Sequence, residues 1–248
     1  MPDAGGPLPL DRSLPFDRED VDAVSLDVGG VLVVPDHGLI GHALAAAGIA
    51  HDRAAFLDGH YRAMAEVDRS RAAPESFTDY THAFLRAVGV AEDALAPAAA
   101  ALDGVIVSPV WHQPLPGARA ALARLSRAGI RLAVTSNSDG TVADGLRRYE
   151  VLQIGTGPGV EVEHISDSGR IGAHKPDAAM FVATAAGLGL PLDRICHIGD
   201  AGGYDADGAA AAGMLAIHVD PLNLCPDDHV HVRSLADFVC RLLGDDAP

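Results

Sequence analysis

The 248-residue chain is 48% hydrophobic and 21% charged, which is enough apolar sequence for one large domain or a domain that carries an insertion. Its formal net charge of -16 argues against nucleic acid or an anionic membrane as a partner, because binding to phosphate backbones needs a basic face. The three cysteines show no metal-ligand spacing, residues 1–20 lack an apolar export signal, and no stretch has the length of a membrane span. These features predict a cytoplasmic protein with a loose leader over residues 1–20.

An apolar run over residues 23–26 predicts the first buried strand, and Asp27, Gly29 and Gly30 follow it. A carboxylate at the carboxyl end of a strand, with glycines that let the backbone approach a ligand closely, is typical of a nucleophile or a metal ligand. An aspartate in a tight turn is the alternative interpretation.

Residues 36–113 show helical periodicity throughout, with predicted helices over 41–47, 52–67, 74–88 and 92–102. This interval is too long for a simple connection between two strands, so it predicts a small all-helical insertion. The insertion is either a cap over a site or a purely structural bundle. The cap is favoured because the insertion begins at Val34-Pro35-Asp36, immediately after the first strand-end motif.

Strands and helices alternate over the rest of the chain. Further strands are predicted over 131–135, 195–198 and 215–219. Helices are predicted over 116–128, 176–186 and 205–212, closed by Gly129, Gly187 and Gly213, with a last helix over 234–243. The pattern predicts an α/β fold in which residues 21–35 and 114–248 form a doubly wound parallel-sheet core and residues 36–113 form the helical cap.

Two later strand ends also carry polar groups. Ser136 and Asn137 follow the second core strand, where a hydroxyl and backbone N–H groups can hold a phosphoryl oxygen, although a helix N-cap is an equal alternative. Asp200 and Asp205 follow a later strand and suit Mg²⁺, which prefers oxygen ligands, although Asp205 can also be only a helix cap. In a doubly wound sheet these loops converge on one pocket.

Lys175 is the only lysine among the 18 basic side chains of the chain. It lies in the run Gly172-Ala-His-Lys-Pro-Asp177, just before a helical pattern. A compact ammonium on a flexible stem does what a planar guanidinium cannot do at a crowded anionic centre. Lys175 is therefore a candidate site residue, the alternative being one exposed lysine retained by chance.

Together these motifs resemble those of the haloacid dehalogenase (HAD) superfamily of hydrolases with a helical type-1 cap. The resemblance extends over about residues 23–243. It rests on the strand-end Asp27, on Pro114-Leu-Pro-Gly117 before a helix, on Val134-Thr-Ser-Asn137, on Lys175-Pro-Asp177, and on Gly199-Asp200 with Asp205 ahead of Ala212-Gly213-Met214. The resemblance implies an α/β Rossmann-like core and Mg²⁺ as the cofactor.

The resemblance also implies roles for these residues. Asp27 attacks phosphorus to form an aspartyl-phosphate, Ser136 holds the phosphoryl group, and Lys175 neutralises charge. Asp27, Asp200 and the backbone carbonyl of Gly29 bind Mg²⁺, and Asp205 supports the metal or Lys175. The residues expected to face the substrate are Gly29, Gly30, Asn137 and His37. The physical logic agrees, because a carboxylate approaches a phosphate dianion only when cations cancel their repulsion.

Gly29 departs from the family pattern, in which most phosphatases carry a second aspartate that acts as general acid and base. Such a group is typically worth about 10²- to 10⁴-fold in rate, so its loss predicts a slow enzyme, a good leaving group or a replacement residue. The candidate replacements are His37, His112 and His174, of which His37 is preferred because it follows the first motif and is expected to enter under the cap.

The favoured function is a Mg²⁺-dependent phosphatase acting on a small phosphorylated metabolite, with sugar phosphates, nucleotides and phosphorylated biosynthetic intermediates all open. A non-catalytic, ligand-binding member is the alternative, and a 2-haloacid dehalogenase or a phosphomutase is a minor one. Phosphonate cleavage, a reaction that uses a cap lysine in this superfamily, is excluded as a function because the cap contains no lysine.

Overall fold

The computed structural model describes residues 13–70, 77–103, 105–106 and 111–244. The strands in this part of the chain are β1 (Ala23–Leu26), β2 (Val33–Pro35), β3 (Trp111–Pro114), β4 (Arg131–Ser136), β5 (Leu152–Ile154), β6 (Val160–Val162), β7 (His164–Asp167), β8 (Ile195–Gly199), β9 (Leu215–Val219) and β10 (His231–Val232). The α-helices are α1 (His37–Ala46), α2 (Phe56–Ser70), α3 (Phe77–Ala87), α4 (Leu95–Leu102), α5 (Ala118–Arg127), α6 (Val142–Arg148), α7 (Ser168–Ile171), α8 (Ala178–Leu188), α9 (Gly208–Ala212) and α10 (Leu235–Leu243).

The centre of the molecule is a six-stranded sheet in the order β10-β9-β8-β1-β4-β7, and its strand pairs are parallel. Side chains of β1 alternate between two covered faces. Val24 and Leu26 pack with residues of α5 and α10, whereas Ala23 packs with residues of α8 and α9. The predicted doubly wound α/β fold is confirmed, and β1 lies in its middle because both faces of its short apolar run are buried.

One predicted helix stop is wrong. Helix α8 runs through Gly187 and ends before Gly189, whose φ of 64° is the left-handed conformation of a helix C-terminus. Gly187 serves a different purpose, because a Cβ at this position would lie 2.2 Å from Nδ1 of His164 on β7. The helix predicted over 205–212 is also divided: a π-helical segment over Gly202–Asp207 precedes α9, which ends before Gly213 as predicted.

Several short strands were not predicted. β7 extends the sheet beside β4, β5 and β6 form a separate two-stranded pair, and β2 pairs with β3 in an antiparallel ribbon. These segments have three or four residues each, with polar or proline positions among them, so their sequences lack the continuous apolar run of the central strands.

Helices α1 to α4 form the predicted all-helical insertion, and the ribbon of β2 and β3 lies at its two ends in the chain. The helices pack around their own hydrophobic cluster, in which Phe56, Phe84 and Leu85 are buried. Helix α1 begins four residues earlier than predicted, because the Asp36 carboxylate accepts the N–H of Leu39 at 2.8 Å and so caps the helix. Residues 74–76 of the third predicted cap helix lie outside the described residues.

The predicted loose leader over residues 1–20 is wrong for its described part, residues 13–20. Leu14 and Phe16 pack against the main core, and the Arg18 guanidinium donates to the carbonyls of Val21 at 2.8 Å and Ala128 at 3.0 Å. Residues 1–12 lie outside the described residues. Within the described part of the chain, none of the helices combines the length and the apolar character needed to cross a bilayer.

Candidate active site

A cavity of about 370 Å³ opens at the carboxyl ends of the central strands. The residue after β1, the last residue of β4 and the residue after β8 all line it; these are Asp27, Ser136 and Asp200. Lys175 and Asp205 complete the polar wall of this cavity. The structure therefore brings the predicted chemical residues together.

Lys175 lies at the centre of this wall. Its Nζ donates to Oδ1 of Asp27 at 2.7 Å and to Oδ1 of Asp205 at 2.5 Å, and only 3% of its side chain is exposed. Burial alone would lower the pKa of this ammonium, but the carboxylates of Asp205 and Asp27 outweigh burial and raise the pKa above its usual value. Lys175 is a permanent positive charge beside Asp27.

Asp205 is held by three separate donors. Its Oδ1 accepts from Lys175 and lies 3.0 Å from Nε2 of His197, and its Oδ2 accepts the N–H of Ala201 at 3.1 Å. Burial opposes ionisation, but Lys175 and His197 hold the pKa of Asp205 below its usual range. Both oxygens of Asp205 are thus engaged in hydrogen bonds, and Asp205 holds Lys175 in place, while its support of a metal stays a prediction.

The Asp27 carboxyl has a different balance of forces. Burial raises its pKa to about 7, Lys175 opposes this, and the nearby charges of Asp205 and Asp200 add to it. One ammonium therefore faces three carboxylates, and the wall carries an excess of negative charge.

The donor set of this wall fits Mg²⁺. One carboxylate oxygen from each of Asp27, Asp200 and Asp205 lies within 4.8 Å of the others. The Asp27 oxygen that accepts from Lys175 is Oδ1, and the Asp200 oxygen that bonds to His60 is Oδ2, so each carboxylate keeps its other oxygen for a metal ion. Asp27 and Asp200 are the residues that would hold the ion, as a hard cation usually takes one or two carboxylates.

Ser136 and Asn137 have different surroundings. Ser136 is buried and lines the cavity, where its hydroxyl can meet a phosphoryl oxygen. The Asn137 side chain lines the cavity too, but its amide accepts the N–H of Lys175 at 2.8 Å and donates to the Lys175 carbonyl at 3.1 Å. Asn137 thus positions the Lys175 loop, and its contact with substrate stays a prediction.

The two glycines after Asp27 are both tightly enclosed. A Cβ at Gly29 would lie 2.8 Å from the ring of Trp111, and the Gly29 carbonyl accepts the N–H of Val31 at 2.7 Å. A Cβ at Gly30 would lie 2.0 Å from Oδ2 of Asp200, and Gly30 has a φ of 62°. Of the two, only Gly29 lines the cavity. The indole of Trp111 occupies the space that a side chain at position 29 would need.

The structure does not support the predicted replacements for the missing acid. His37 is not among the cavity-lining residues; its ring packs edge-on against Phe56 at 5.4 Å. The His112 ring stacks on Tyr149 with the ring centroids 4.0 Å apart, and its Nε2 is hydrogen-bonded to Oδ2 of Asp36 at 3.1 Å. His174 is exposed. The expectation that the chain enters under the cap at His37 is therefore wrong, because Asp36 starts helix α1 there.

His60 is the histidine that reaches the site, and the sequence analysis missed it. It lies on α2, is buried, and lines the cavity. Its Nε2 is 2.9 Å from Oδ2 of Asp200, and its Nδ1 is 2.9 Å from the hydroxyl of Tyr80. The Asp200 carboxylate only accepts, so Nε2 donates to it, and Nδ1 of the neutral ring then accepts from the Tyr80 hydroxyl. His60 orients Asp200.

Two further contacts join the cap to the core near this point. The Tyr61 hydroxyl donates to the carbonyl of Gly30 at 2.8 Å. The Asp68 carboxylate accepts the N–H groups of Gly202 at 2.7 Å and Gly203 at 3.2 Å. Helix α2 thus contacts the loops after β1 and β8, the two loops that carry the predicted metal ligands. The spacing of His60, Tyr61 and Asp68 on one helix was the available signal, but helix surfaces carry such residues often.

The fold and the polar wall together define a hydrolase of the α/β class whose candidate nucleophile is a carboxylate at the end of the first strand. The model of the haloacid dehalogenase-like hydrolase family matches residues 21–213, and the chain belongs to this family. The resemblance found in the motifs is confirmed.

A known relative agrees with this assignment, and solved structures agree with the fold. Haloacid dehalogenase-like hydrolase domain-containing protein 3 of Mus musculus is 30% identical over 166 residues, which is 65% of this chain and 63% of the mouse protein. The chain thus spans just under two thirds of the length of this relative.

Three solved structures share the fold at low identity. A dehalogenase with an intermediate complex has a TM-score of 0.60 at 16% identity and covers 92% of this chain and 98% of its own. A HAD phosphatase from Thermococcus onnurineus has a TM-score of 0.54 at 17% identity, covering 92% and 100%. The HAD-hydrolase YfnB from Bacillus subtilis, bound to magnesium, has a TM-score of 0.58 at 16% identity, covering 88% and 96%.

Proposed function

We propose that this hydrolase is a Mg²⁺-dependent phosphatase that forms an aspartyl-phosphate on Asp27. The observation that carries the proposal is the Lys175 ammonium, which lies 2.7 Å from Asp27 and 2.5 Å from Asp205, with Ser136 and Asp200 lining the same cavity. A phosphate dianion needs this kind of positive charge next to its attacking carboxylate.

The residues divide the proposed reaction between them. A carboxylate oxygen of Asp27 attacks phosphorus, and the bond to the leaving oxygen breaks. Lys175 and the hydroxyl of Ser136 hold the phosphoryl oxygens, while Asp205 and Asn137 hold Lys175 in place. Mg²⁺, when bound by Asp27 and Asp200, supplies further neutralisation of phosphate charge. Water then attacks the aspartyl-phosphate and releases inorganic phosphate and Asp27.

The absence of a carboxyl group at position 29 supports a proposal for the class of substrate. No side chain at position 29 protonates the leaving oxygen, and Trp111 fills the space. The leaving group therefore departs as a stable anion, as phenols and enols do. Aromatic and apolar side chains, among them Met64, Tyr80, Trp111, Leu146 and Tyr149, line much of the remaining cavity, together with the polar residues Ser138, Thr141, Asp144 and Arg148. We propose small aryl or enol phosphates as the substrates of this phosphatase.

The test is phosphate release with and without Mg²⁺ from matched aryl, enol and alkyl phosphates. We expect release from the first two that requires Mg²⁺, is lost in Asp27→Asn and is retained in Asp22→Asn. Asp22 is a suitable control, because it lies just before β1 at the opposite end of the strand and pairs with Arg194 at 3.0 Å. Equal release by Asp27→Asn and the wild type would contradict the proposal.

Dehalogenation is a second reaction that the absence of an acid at position 29 favours. Displacement of halide from a 2-haloacid by Asp27 needs no proton donor, since halide leaves as a stable anion. Halide release from 2-haloacids without Mg²⁺, in the absence of phosphate release from any ester, would identify the protein as a dehalogenase instead.

A further inference from the structure

A second cluster of potential metal ligands lies outside the catalytic cavity. It consists of His218 on β9, Cys225 and His229 in the following loop, and His231 on β10, with one potential ligand atom from each within 4.8 Å of the others. Strands β9 and β10 are parallel neighbours, and residue 231 pairs with residue 218. The cysteine spacing alone gives no sign of this cluster, because its other members are histidines.

His218 has the orientation of a metal ligand. Its Nε2 lies 3.2 Å from the backbone carbonyl of Asp200. A carbonyl only accepts, so Nε2 carries the proton and Nδ1 carries a lone pair. Within the described residues, Nδ1 has no hydrogen-bond partner, and His218 is 4% exposed. A buried lone pair without a donor is costly, and metal-bound histidines typically donate their other N–H in this way.

The distance between the Cys225 thiol and the His229 ring fits two ligands of one zinc ion. Cys225 Sγ is 3.5 Å from Nδ1 of His229, close to the separation of about 3.6 Å that tetrahedral Zn–S and Zn–N bonds impose. Nε2 of His229 is 3.0 Å from the Asp207 carboxylate, a common outer partner of a ligating histidine. The Asp220 carboxylate accepts the N–H groups of Leu224 at 3.0 Å and Cys225 at 2.9 Å, which fixes the loop that presents the thiol.

We propose that His218, Cys225, His229 and His231 form a structural Zn²⁺ site. Three imidazoles and one thiolate are the donors that Zn²⁺ takes in closed four-coordinate sites, and they disfavour the Mg²⁺ that suits the oxygen donors of the catalytic wall. The proposal does not depend on the proposed phosphatase reaction.

The position of the cluster gives the ion a structural role. His218 donates to the carbonyl of Asp200. A Cβ at Gly202 would lie 3.2 Å from His229 and 3.4 Å from His218, so both rings pack closely on the turn that follows Asp200. The same turn receives Asp68 of the cap. The ion holds these rings together beneath the loop that carries Asp200.

The experiment is a titration of chelator-treated full-length protein with Co²⁺, followed by competition with Zn²⁺. Co²⁺ bound by Cys225 gives a thiolate-to-metal charge-transfer band, which Co²⁺ bound by carboxylates does not give. The variants are Cys225→Ser and His229→Gln, with Cys240→Ser as the matched thiol control. Cys240 lies on α10, outside the cluster. Circular dichroism establishes that each protein is folded.

We expect one equivalent of Co²⁺ with the charge-transfer band, displaced by Zn²⁺, in the wild type and Cys240→Ser. Cys225→Ser is expected to lose the band. Either ligand variant should bind Zn²⁺ at least about 100-fold more weakly, because loss of only the hydrogen-bond partner of a ligand already lowers metal affinity by up to about 100-fold. A folded wild type without the band, loss of the band in Cys240→Ser, or unchanged Zn²⁺ affinity in both ligand variants would overturn the proposal.

Discussion

The α/β core and the helical cap contribute to the cavity by different means. The core places Asp27, Ser136 and Asp200 at strand ends, where the sheet brings them together independently of how the cap packs. The cap contributes His60, Met64 and Val67 from one face of α2 and Tyr80 from α3, at positions that depend on how these helices pack on the core. The difference teaches that the core supplies the charged wall and part of the lining, whereas the cap supplies the remaining lining and the support of Asp200.

The core contribution depends most on Lys175, so substitution of this residue is expected to have the largest effect on stability and activity. Lys175→Met leaves the buried carboxylates of Asp27 and Asp205 without their shared cation. Breaking a buried ion pair on one side costs about 3–5 kcal/mol of unfolding free energy, and loss of one charge-stabilising donor costs about 10²- to 10³-fold in kcat. Urea unfolding and phosphate release measure the two effects. Arg62→Met, at an exposed position of α2, is the control and should change neither.

The packing of Trp111 on Gly29 gives the next prediction, because here cap-end and core residues compete for one space. Gly29→Asp alone is expected to cost about 1–3 kcal/mol through overpacking and to gain no activity. Combined with Trp111→Leu, the new carboxyl has room to act as an acid. Turnover of alkyl phosphates should then rise by about 10²- to 10⁴-fold over Trp111→Leu alone. A gain in the single variant would contradict the steric explanation.

His60 tests whether the cap supports the core chemistry or takes part in it. His60→Gln is expected to weaken Mg²⁺ binding by about 10- to 100-fold, because Asp200 loses its orienting partner, while kcat at saturating Mg²⁺ recovers. Tyr80→Phe removes only the outer hydrogen bond and should have a smaller effect in the same direction. Mg²⁺ titration of activity measures both. A fall in kcat at saturating Mg²⁺, with unchanged Mg²⁺ affinity, would instead place His60 in the chemical step.

The smallest effect is expected where the cap touches only backbone. Tyr61→Phe removes the hydrogen bond to the Gly30 carbonyl and should cost about 0.5–1.5 kcal/mol of unfolding free energy, with little change in kcat. Urea unfolding and steady-state kinetics of the same preparation measure this. A loss of activity as large as that of His60→Gln would show that Gly30, and not only Asp200, needs support from the cap.

The core was predictable because its signals are local. Short buried strands read as apolar runs, and the polar residue after each run lies at the same sheet edge, so Asp27, Ser136 and Asp200 could be assigned to one site before any contact was known. The single lysine pointed to Lys175 for a chemical reason. Gly187 shows the limit of such signals, because a glycine that reads as a helix stop is in fact required by the His164 ring beside it.

The amino-acid sequence by itself determined the fold class, the family and the charged wall of the site, since strand periodicity and motif spacing are properties of neighbouring residues. Only the tertiary structure decided that Trp111 fills the space beside Gly29, that His60 and not His37 reaches Asp200, and that Asn137 holds Lys175. These contacts join residues between 38 and 140 positions apart in the chain. Their geometry depends on how helices pack and rings fill space, and no local pattern encodes that packing.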